Sequence, residues 1–338
     1  MMRTVLRWAI TLAIFALLVV FARTVDWNAA WAAMRGASIP LLLLAFAANT
    51  MSVLLRIIRW WMFLRPAGSP SFGLAMRAGI AGVGLNNVLL ANGGEAARVV
   101  FASSASGVPS ATVLATIALE RMFDIVGFIV MVVAGTLIFP LPPEMEGYRV
   151  PAMILLVVVL GGLGLLVHST RKMTPTTLAE RPVEVTPPVG IVAKVGSFFT
   201  WFVASMGALA NGPRFVGAMT LSLLAWGFQI VTFALAAKAA GVAVPLAASL
   251  AGLLAVNLGL VLRATPGNVG FFQFAYALTV EQFGVPRDPA IAVSLLIQTL
   301  QVVPVTIIGV ALAPEFVFKK RGKPALTPTT EVQKKRHP

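Results

Sequence analysis

Three charged residues interrupt an otherwise apolar run between residues 112 and 139: Glu120, Arg121 and Asp124. Glu120 and Asp124 are four residues apart, so on a helix they share one face, with Arg121 to the side. If this run crosses a membrane, the charges must face the protein interior or a wet cavity and find partners there. The cluster therefore predicts a set of internal ion pairs, the lining of a substrate path, or both.

Glu95 and Arg98 form a second charged pair, directly after Gly93 and Gly94. Glycines let a chain turn sharply and approach a ligand closely. A helix that begins near Gly94 would offer free N–H groups to an anion such as phosphate, with Glu95 as a simple cap of that helix. We expect Arg98 to clamp the phosphate through its forked guanidinium.

Two further arginines, Arg56 and Arg59, allow two interpretations: interfacial anchors, or groups that recruit anionic lipid headgroups. A second polar segment, residues 265–270, has no carboxylate, so one half of the chain is ionic and the other is only polar. The predicted cavity residues are Arg56, Arg59, Asn86, Asn87, Asn92, Gly94, Glu95, Arg98, Glu120, Arg121, Asp124, Arg263, Pro266, Gly267, Asn268, Gly270 and Gln298.

Composition sets the class of protein. Of the 338 residues, 58% are hydrophobic and 11% are charged, which indicates a polytopic membrane protein and excludes a soluble domain. The net charge of +14 is better explained by topology signals between spans than by nucleic-acid binding. The chain has no cysteine, and its two histidines are far apart, so we expect no metal site and no cofactor.

Two apolar stretches interrupted by glycine, residues 79–102 and 252–275, are similar to each other. Aligned without a gap at an offset of 173 residues, they match at nine of twenty-four positions. Each is broken by a short polar segment, at residues 92–95 in the first and 265–268 in the second. Broken hydrophobic segments at corresponding places in two halves indicate the binding site of a transporter.

The hydrophobic pattern predicts an all-α protein with about six transmembrane helices and two re-entrant helical hairpins. The predicted spans lie near residues 5–21, 40–65, 112–139, 151–167, 215–237 and 290–312. A short loop that carries Trp27 and Trp31 is expected between the first two spans, and a surface helix near residues 194–210. These elements form one membrane domain, residues 1–314, which contains repeats near 40–140 and 213–313, followed by a basic disordered tail at 315–338.

The distribution of positive charge predicts the orientation. If both broken stretches are re-entrant, both termini are cytoplasmic, with nineteen lysines and arginines on that side and six outside. The two halves then run in opposite directions, so the repeat is inverted. Full crossing by either stretch would weaken the charge bias, which favours the re-entrant arrangement.

Several motifs resemble those of the lysylphosphatidylglycerol synthase transmembrane family of flippase-like proteins. NNVLLANGGEAAR followed by ALERMFD is similar to its N-x-x-L-P-x-x-x-G-E-x-x-R and E-R-x-x-D signatures, and LRIIRWWMFL to its R-x-x-R-W helix end. TPGNVGFFQ resembles its P-G-x-x-G segment, so the resemblance covers about residues 40–313. Ala91 departs from the usual proline, and Asn268 and Gln273 replace a common acidic residue.

The family includes the flippase half of the multiple peptide resistance factor, and other members are associated with hopanoid or polyprenyl-phosphate sugar pathways. The resemblance implies a polar core with an opposing hairpin, formed by Asn86, Glu95, Arg98, Glu120, Arg121, Asp124, Pro266, Gly267 and Gly270. No synthase domain accompanies these motifs in the sequence, so we expect that the chain does not make aminoacyl-lipid itself.

These observations predict a lipid translocase of the bacterial inner membrane and not an enzyme. The candidate lipids are a phospholipid, aminoacyl-phosphatidylglycerol, a hopanoid and a polyprenyl-phosphate lipid. The alternatives are a small-solute transporter and an enzyme or scaffold of lipid synthesis. The expected partners are membrane lipids, and both self-association and contact with lipid-synthesis enzymes are open.

Overall fold

The computed structural model describes residues 27–318 apart from 69, 89–92, 141–142, 148, 152, 159–160, 163–211 and 260–267. Within those residues the fold is helical, with no strand. The helices of the first half are α1 Trp27–Arg35, α2 Ile39–Leu64, α3 Phe72–Val88, α4 Gly93–Ser106, α5 Ser110–Ile138 and the short α6 Pro143–Glu146. Those of the second half are α7 Gly212–Ala239, α8 Leu246–Gly259, α9 Phe271–Glu281 and α10 Arg287–Phe318.

Four of these helices, α2, α5, α7 and α10, are long and apolar enough to cross a membrane. They confirm four of the six predicted spans and make this a multi-pass integral membrane protein. The predicted first span lies outside the described residues. Of the predicted span near 151–167, the structure describes helix at 149–151 and 153–158 and a helical pair at 161–162.

The segment that contains Trp27 and Trp31 was predicted to be a loop, and this prediction was wrong. It forms helix α1, whose sequence WNAAWAAMR is rich in alanine, the residue with the highest helix propensity. Arg35 places its guanidinium 5.0 Å from the Trp31 ring centroid. After α1 the chain contacts the second half, since the Ser38 N–H donates to the Ala239 carbonyl at 2.8 Å.

Two pairs of short helices form helical hairpins. α3 packs on α4, and α8 packs on α9. In the first hairpin, a Cβ on Gly94 would overlap the Gly82 carbonyl oxygen and the backbone of Asn86, so only glycine allows this approach. In the second, a Cβ on Gly259 would overlap the ring of Phe271. Glycine therefore sets the closeness of both hairpins.

The two halves meet along two helix pairs. α2 packs along α7, where the Ser52 hydroxyl donates to the Ala225 carbonyl at 2.8 Å. α3 packs along α10, where a Cβ on Gly84 would stand 2.6 Å from the Val305 carbonyl oxygen and 2.8 Å from Cα of Gly309. The α3 and α10 backbones are therefore in direct contact.

Helix positions recur along the chain. α2, α3, α4 and α5 begin at residues 39, 72, 93 and 110, and α7, α8, α9 and α10 begin at 212, 246, 271 and 287. The offsets are 173, 174, 178 and 177 residues. Two residues separated by 173 positions, Ser52 and Ala225, are in contact through their hydrogen bond.

Candidate functional site

Two buried arginines form the centre of an ionic network between α2, α4 and α5. Arg59 Nη2 lies 2.6 Å from an Asp124 carboxylate oxygen and 4.0 Å from Glu120. Arg98 Nη2 lies 2.7 Å from the other Glu120 oxygen. Arg59 is 0% exposed, and a buried charge requires such partners because water does not solvate it.

Neutral groups complete the surroundings of these arginines. The Arg98 guanidinium stacks on the Trp60 ring at 3.6 Å from its centroid, a cation–π contact that is strongest where water is excluded. The Trp60 Nε1–H donates to the Thr116 hydroxyl at 3.0 Å, which fixes the ring. Arg59 Nη1 donates to the Ser222 hydroxyl on α7, so the network reaches the second half.

Two other arginines are more accessible. The Arg56 side chain is 25% exposed, lies 3.7 Å from Asp124 and has its guanidinium 5.6 Å from the Trp226 ring centroid. The Arg121 side chain is 47% exposed, pairs with Glu95 and lies 3.5 Å from Asp124. Because Arg98 is committed to Glu120 and Trp60, Arg56 and Arg121 are better placed than Arg98 for the phosphate contact expected from the sequence.

The network has an unequal number of opposite charges. It consists of four arginines (Arg56, Arg59, Arg98, Arg121) and three carboxylates (Glu95, Glu120, Asp124), which gives a formal charge of +1. In the low dielectric of a membrane domain, this excess favours an anionic ligand. Among the described residues, no group of His, Asp and Glu side chains is arranged to hold a metal ion.

A cavity of about 260 Å³ borders the network and is lined by residues of both halves. Its charged lining residues are Arg56, Arg98, Glu120, Arg121 and Asp124. Its amide lining residues are Asn49, Asn86, Asn87, Gln229, Asn257, Asn268 and Gln301. The remaining lining is mostly aliphatic. The cavity can therefore hold a charged group, with several hydrogen-bonding groups beside it.

The predicted asparagines of α3 have structural partners. Asn86 Oδ1 accepts a hydrogen bond from the Gly94 N–H at 3.0 Å, so Asn86 satisfies a free donor near the start of α4. Asn87 Nδ2 donates to the Thr306 hydroxyl on α10 at 2.9 Å. These bonds fix the first hairpin against its own turn and against the second half.

The second half supplies polar groups without charge. Gln273 Nε2 donates to Gln298 Oε1 at 2.5 Å, and the Gly270 N–H donates to Gln273 Oε1 at 2.7 Å. Gln301 Nε2 donates to Gln229 Oε1 at 3.4 Å. The difference expected from the sequence between an ionic half and a neutral polar half is present in these residues.

The structure brings together most of the predicted site. Eight predicted residues line the cavity: Arg56, Asn86, Asn87, Arg98, Glu120, Arg121, Asp124 and Asn268. Arg59 and Glu95 connect to it through ion pairs, Gly94 through Asn86, and Gly270 and Gln298 lie behind the cavity wall around Gln273. Four predicted residues lie outside the described ones: Asn92, Arg263, Pro266 and Gly267.

Sequence reasoning missed Asn49, Gln229 and Asn257, which also line the cavity. Helical spacing contained a signal for the first, because Asn49 is seven residues, two helical turns, before Arg56 on α2. The repeat offset contained one for the second, because Gln229 lies 173 residues after Arg56. Trp60 and Ser222 gave no such signal, since their role depends on which helices pack together.

The model of one protein family, described as the lysylphosphatidylglycerol synthase TM region, matches residues 8–309. No curated protein matches the chain at a significant level. Since the match covers most of the 338 residues, the chain belongs to this family, as the motifs predicted.

Proposed function

We propose that this member of the lysylphosphatidylglycerol synthase transmembrane family moves a lipid with a polar or anionic headgroup across the bacterial inner membrane. One observation carries the proposal: a cavity with a net positive ionic network lies among helices that are apolar enough to span a bilayer. Charges inside a membrane domain are costly and mark the path of a polar substrate.

The size of the cavity favours a headgroup as its occupant. Its volume of about 260 Å³ lies below the roughly 300–1,000 Å³ of pockets that enclose drug-sized ligands. A whole lipid does not fit such a space, whereas a phosphate with a small substituent does. The acyl chains would then remain in the bilayer while the headgroup crosses within the protein.

The accessible arginines suit an anionic group. Arg121 and Arg56 keep exposed surface at the cavity, and their guanidinium groups match the geometry of phosphate oxygens. Arg59 and Arg98 are buried and paired, so they hold the site in shape. The network thus separates a binding role from a structural one.

The proposed mechanism is alternating access by an inverted repeat with two re-entrant hairpins. The recurrence of helix starts at offsets of 173 to 178 residues supports a repeat of the elements α2–α5 and α7–α10. α4 and α9, with 14 and 11 residues, rise roughly 1.5 Å per residue and are too short to cross a bilayer alone. Both features favour hairpins that meet in the middle of the membrane around a shared site.

Lipid movement in reconstituted vesicles tests the proposal. Protein in vesicles that carry a trace of headgroup-labelled phospholipid should expose inner-leaflet label to a membrane-impermeant quencher. Arg121→Ala and Asp124→Asn should slow this exposure at least about tenfold, the effect of losing an interaction of about 1.4 kcal/mol. Arg287→Ala is the control, because Arg287 pairs with Glu281 near the exposed start of α10. Equal rates in vesicles with and without the unmutated protein would refute lipid movement.

The same vesicles separate transport from the alternatives. We propose movement without chemical change, so the lipid masses before and after incubation should be identical. A new lipid mass would favour the enzyme alternative. Flux of a water-soluble substrate with no lipid movement would favour a small-solute transporter.

A further inference from the structure

We propose that the amide side chains of the second half form a subsite for neutral hydroxyl groups, so that the headgroup is a phosphate bonded to a polyol. This amide wall consists of Gln229, Asn257, Asn268 and Gln301, all of which line the cavity. The inference rests on the proposed function and names the class of headgroup.

Asn268 is the residue on which the inference depends. It is 4% exposed and lines the cavity, and neither its Oδ1 nor its Nδ2 has a hydrogen-bond partner among the described residues. A buried amide without partners costs free energy, which a bound ligand can recover. Because an amide both accepts and donates, two neighbouring hydroxyls of a polyol can satisfy both of its ends.

The backbone holds Asn268 in an unusual conformation. Its φ of +58° lies in the left-handed region, where asparagine is one of the few residues with a side chain that is tolerated. Gly270, two residues later, also has a positive φ, of +85°, directly before α9. This turn fixes the asparagine at the cavity wall.

The other members of the amide wall keep hydrogen-bonding capacity. Asn257 donates Nδ2 to the Leu253 carbonyl within its own helix at 2.8 Å, which uses one of its donors. Gln229 and Gln301 share one bond at 3.4 Å, longer than a strong hydrogen bond. Hydroxyl groups at the wall can therefore gain bonds without breaking strong ones.

The charges of the cavity argue against a cationic headgroup extension. The amide wall has no carboxylate, and both carboxylates that line the cavity, Glu120 and Asp124, are paired with arginines. An ammonium group would need a free carboxylate there. A neutral polyol beside a phosphate held by Arg56 and Arg121 matches both the charge and the hydrogen-bonding groups.

Binding to the purified full chain in detergent tests the inference with three lipids. Phosphatidic acid has the phosphate alone, phosphatidylglycerol adds a neutral polyol, and lysylphosphatidylglycerol adds an ammonium-bearing group. We expect phosphatidylglycerol to bind about tenfold more tightly than phosphatidic acid, which corresponds to about 1.4 kcal/mol. Lysylphosphatidylglycerol should bind no more tightly than phosphatidylglycerol.

Asn268→Gly removes the amide and keeps the left-handed backbone accessible. We expect this variant to bind phosphatidylglycerol and phosphatidic acid equally, with the affinity for phosphatidic acid unchanged. Gln282→Ala is the control, since it removes an exposed amide at the other end of α9 and should keep the tenfold preference. Asn268→Asp provides a second test: its carboxylate should weaken phosphatidylglycerol binding and favour lysylphosphatidylglycerol.

Equal binding of phosphatidylglycerol and phosphatidic acid by the unmutated chain would overturn the inference. So would a preference that survives in both Asn268 variants. These results are distinct from failure of the proposed function: selective binding without lipid movement would remove only the transport proposal, and equal movement of all three lipids would remove only the polyol subsite.

Discussion

Arg98 shows how much of a residue's role depends on its neighbours. Its position three residues after Glu95 predicts a phosphate clamp, but its guanidinium lies between the Glu120 carboxylate and the Trp60 ring. The sequence identified the charged residues, because charges inside apolar spans are rare. It did not identify the pairings, since Arg98 and Glu120 are on different helices. Exposure separates Arg121 from Arg98, and exposure depends on packing.

The pairing predicts a large loss of stability from one uncharged substitution. Glu120→Gln removes the carboxylate that faces Arg98 at 2.7 Å and Arg59 at 4.0 Å. Removing one partner of a buried ion pair costs about 3–5 kcal/mol, because a charge remains unpaired. Thermal unfolding in detergent should show a clearly lower midpoint for this variant.

Glu281→Gln is the matched control for this experiment. It removes the Arg287 pair, whose two side chains are substantially exposed. Exposed pairs contribute about 0–1 kcal/mol, so the unfolding midpoint should hardly change. If the two variants were equally stable, the buried network would have no structural role.

At the scale of elements, the hairpins were the most predictable feature. The paired glycines and the polar break predicted a helix that begins near Gly94, and α4 begins at Gly93. Four long spans followed from hydrophobic length alone. Helix α1 was missed because its tryptophans suggested an interfacial loop, while its alanines favour a helix. The contact of α3 with α10 was not predictable, since nothing in either sequence names its neighbour.

Gly94 gives the hairpin a testable weak point. Gly94→Ala would place a methyl group against the Gly82 carbonyl oxygen and the Asn86 backbone, so α3 and α4 must separate. We expect a lower unfolding midpoint together with slower lipid movement in vesicles. Gly73→Ala, on the same hairpin, meets nothing within 4 Å, and it should be neutral or stabilising by up to about 1 kcal/mol. Equal behaviour of the two variants would show that the close approach is not required.

At the scale of the molecule, corresponding helix pairs differ in their contact. If α2–α5 correspond to α7–α10, then the pair α3 and α10 corresponds to the pair α8 and α5. α3 and α10 pack extensively, whereas α8 and α5 share a much smaller contact. An inverted repeat whose two halves adopt different arrangements is the structural condition for alternating access. The sequence repeat predicts the correspondence and not the difference.

Cross-linking distinguishes the two interfaces, and the absence of native cysteines makes it clean. A disulfide between Asn87→Cys and Thr306→Cys would lock α3 to α10, whose side chains now lie 2.9 Å apart at these positions. We expect it to stop lipid movement and a reducing agent to restore it. A disulfide between Ser52→Cys and Ala225→Cys joins positions that correspond in the repeat. Such positions move little when halves rotate about a shared axis, so movement should continue.

Loss of movement with both disulfides would show that α2 and α7 also separate during transport. Movement that continues with the Asn87–Thr306 link would show that α3 and α10 stay together. Each result would replace the proposed rocking of two halves by a different motion.

The direct contact between Gly84 and Gly309 also restricts the route of the lipid. Two helix backbones in van der Waals contact leave no gap as wide as a hydrocarbon chain. The wall formed by α3 and α10 is therefore sealed against acyl chains in this state, and a headgroup in the cavity cannot have its tails leave through that side. The tails must pass into the bilayer on another flank of the bundle, so lipid enters and leaves this protein from one side only.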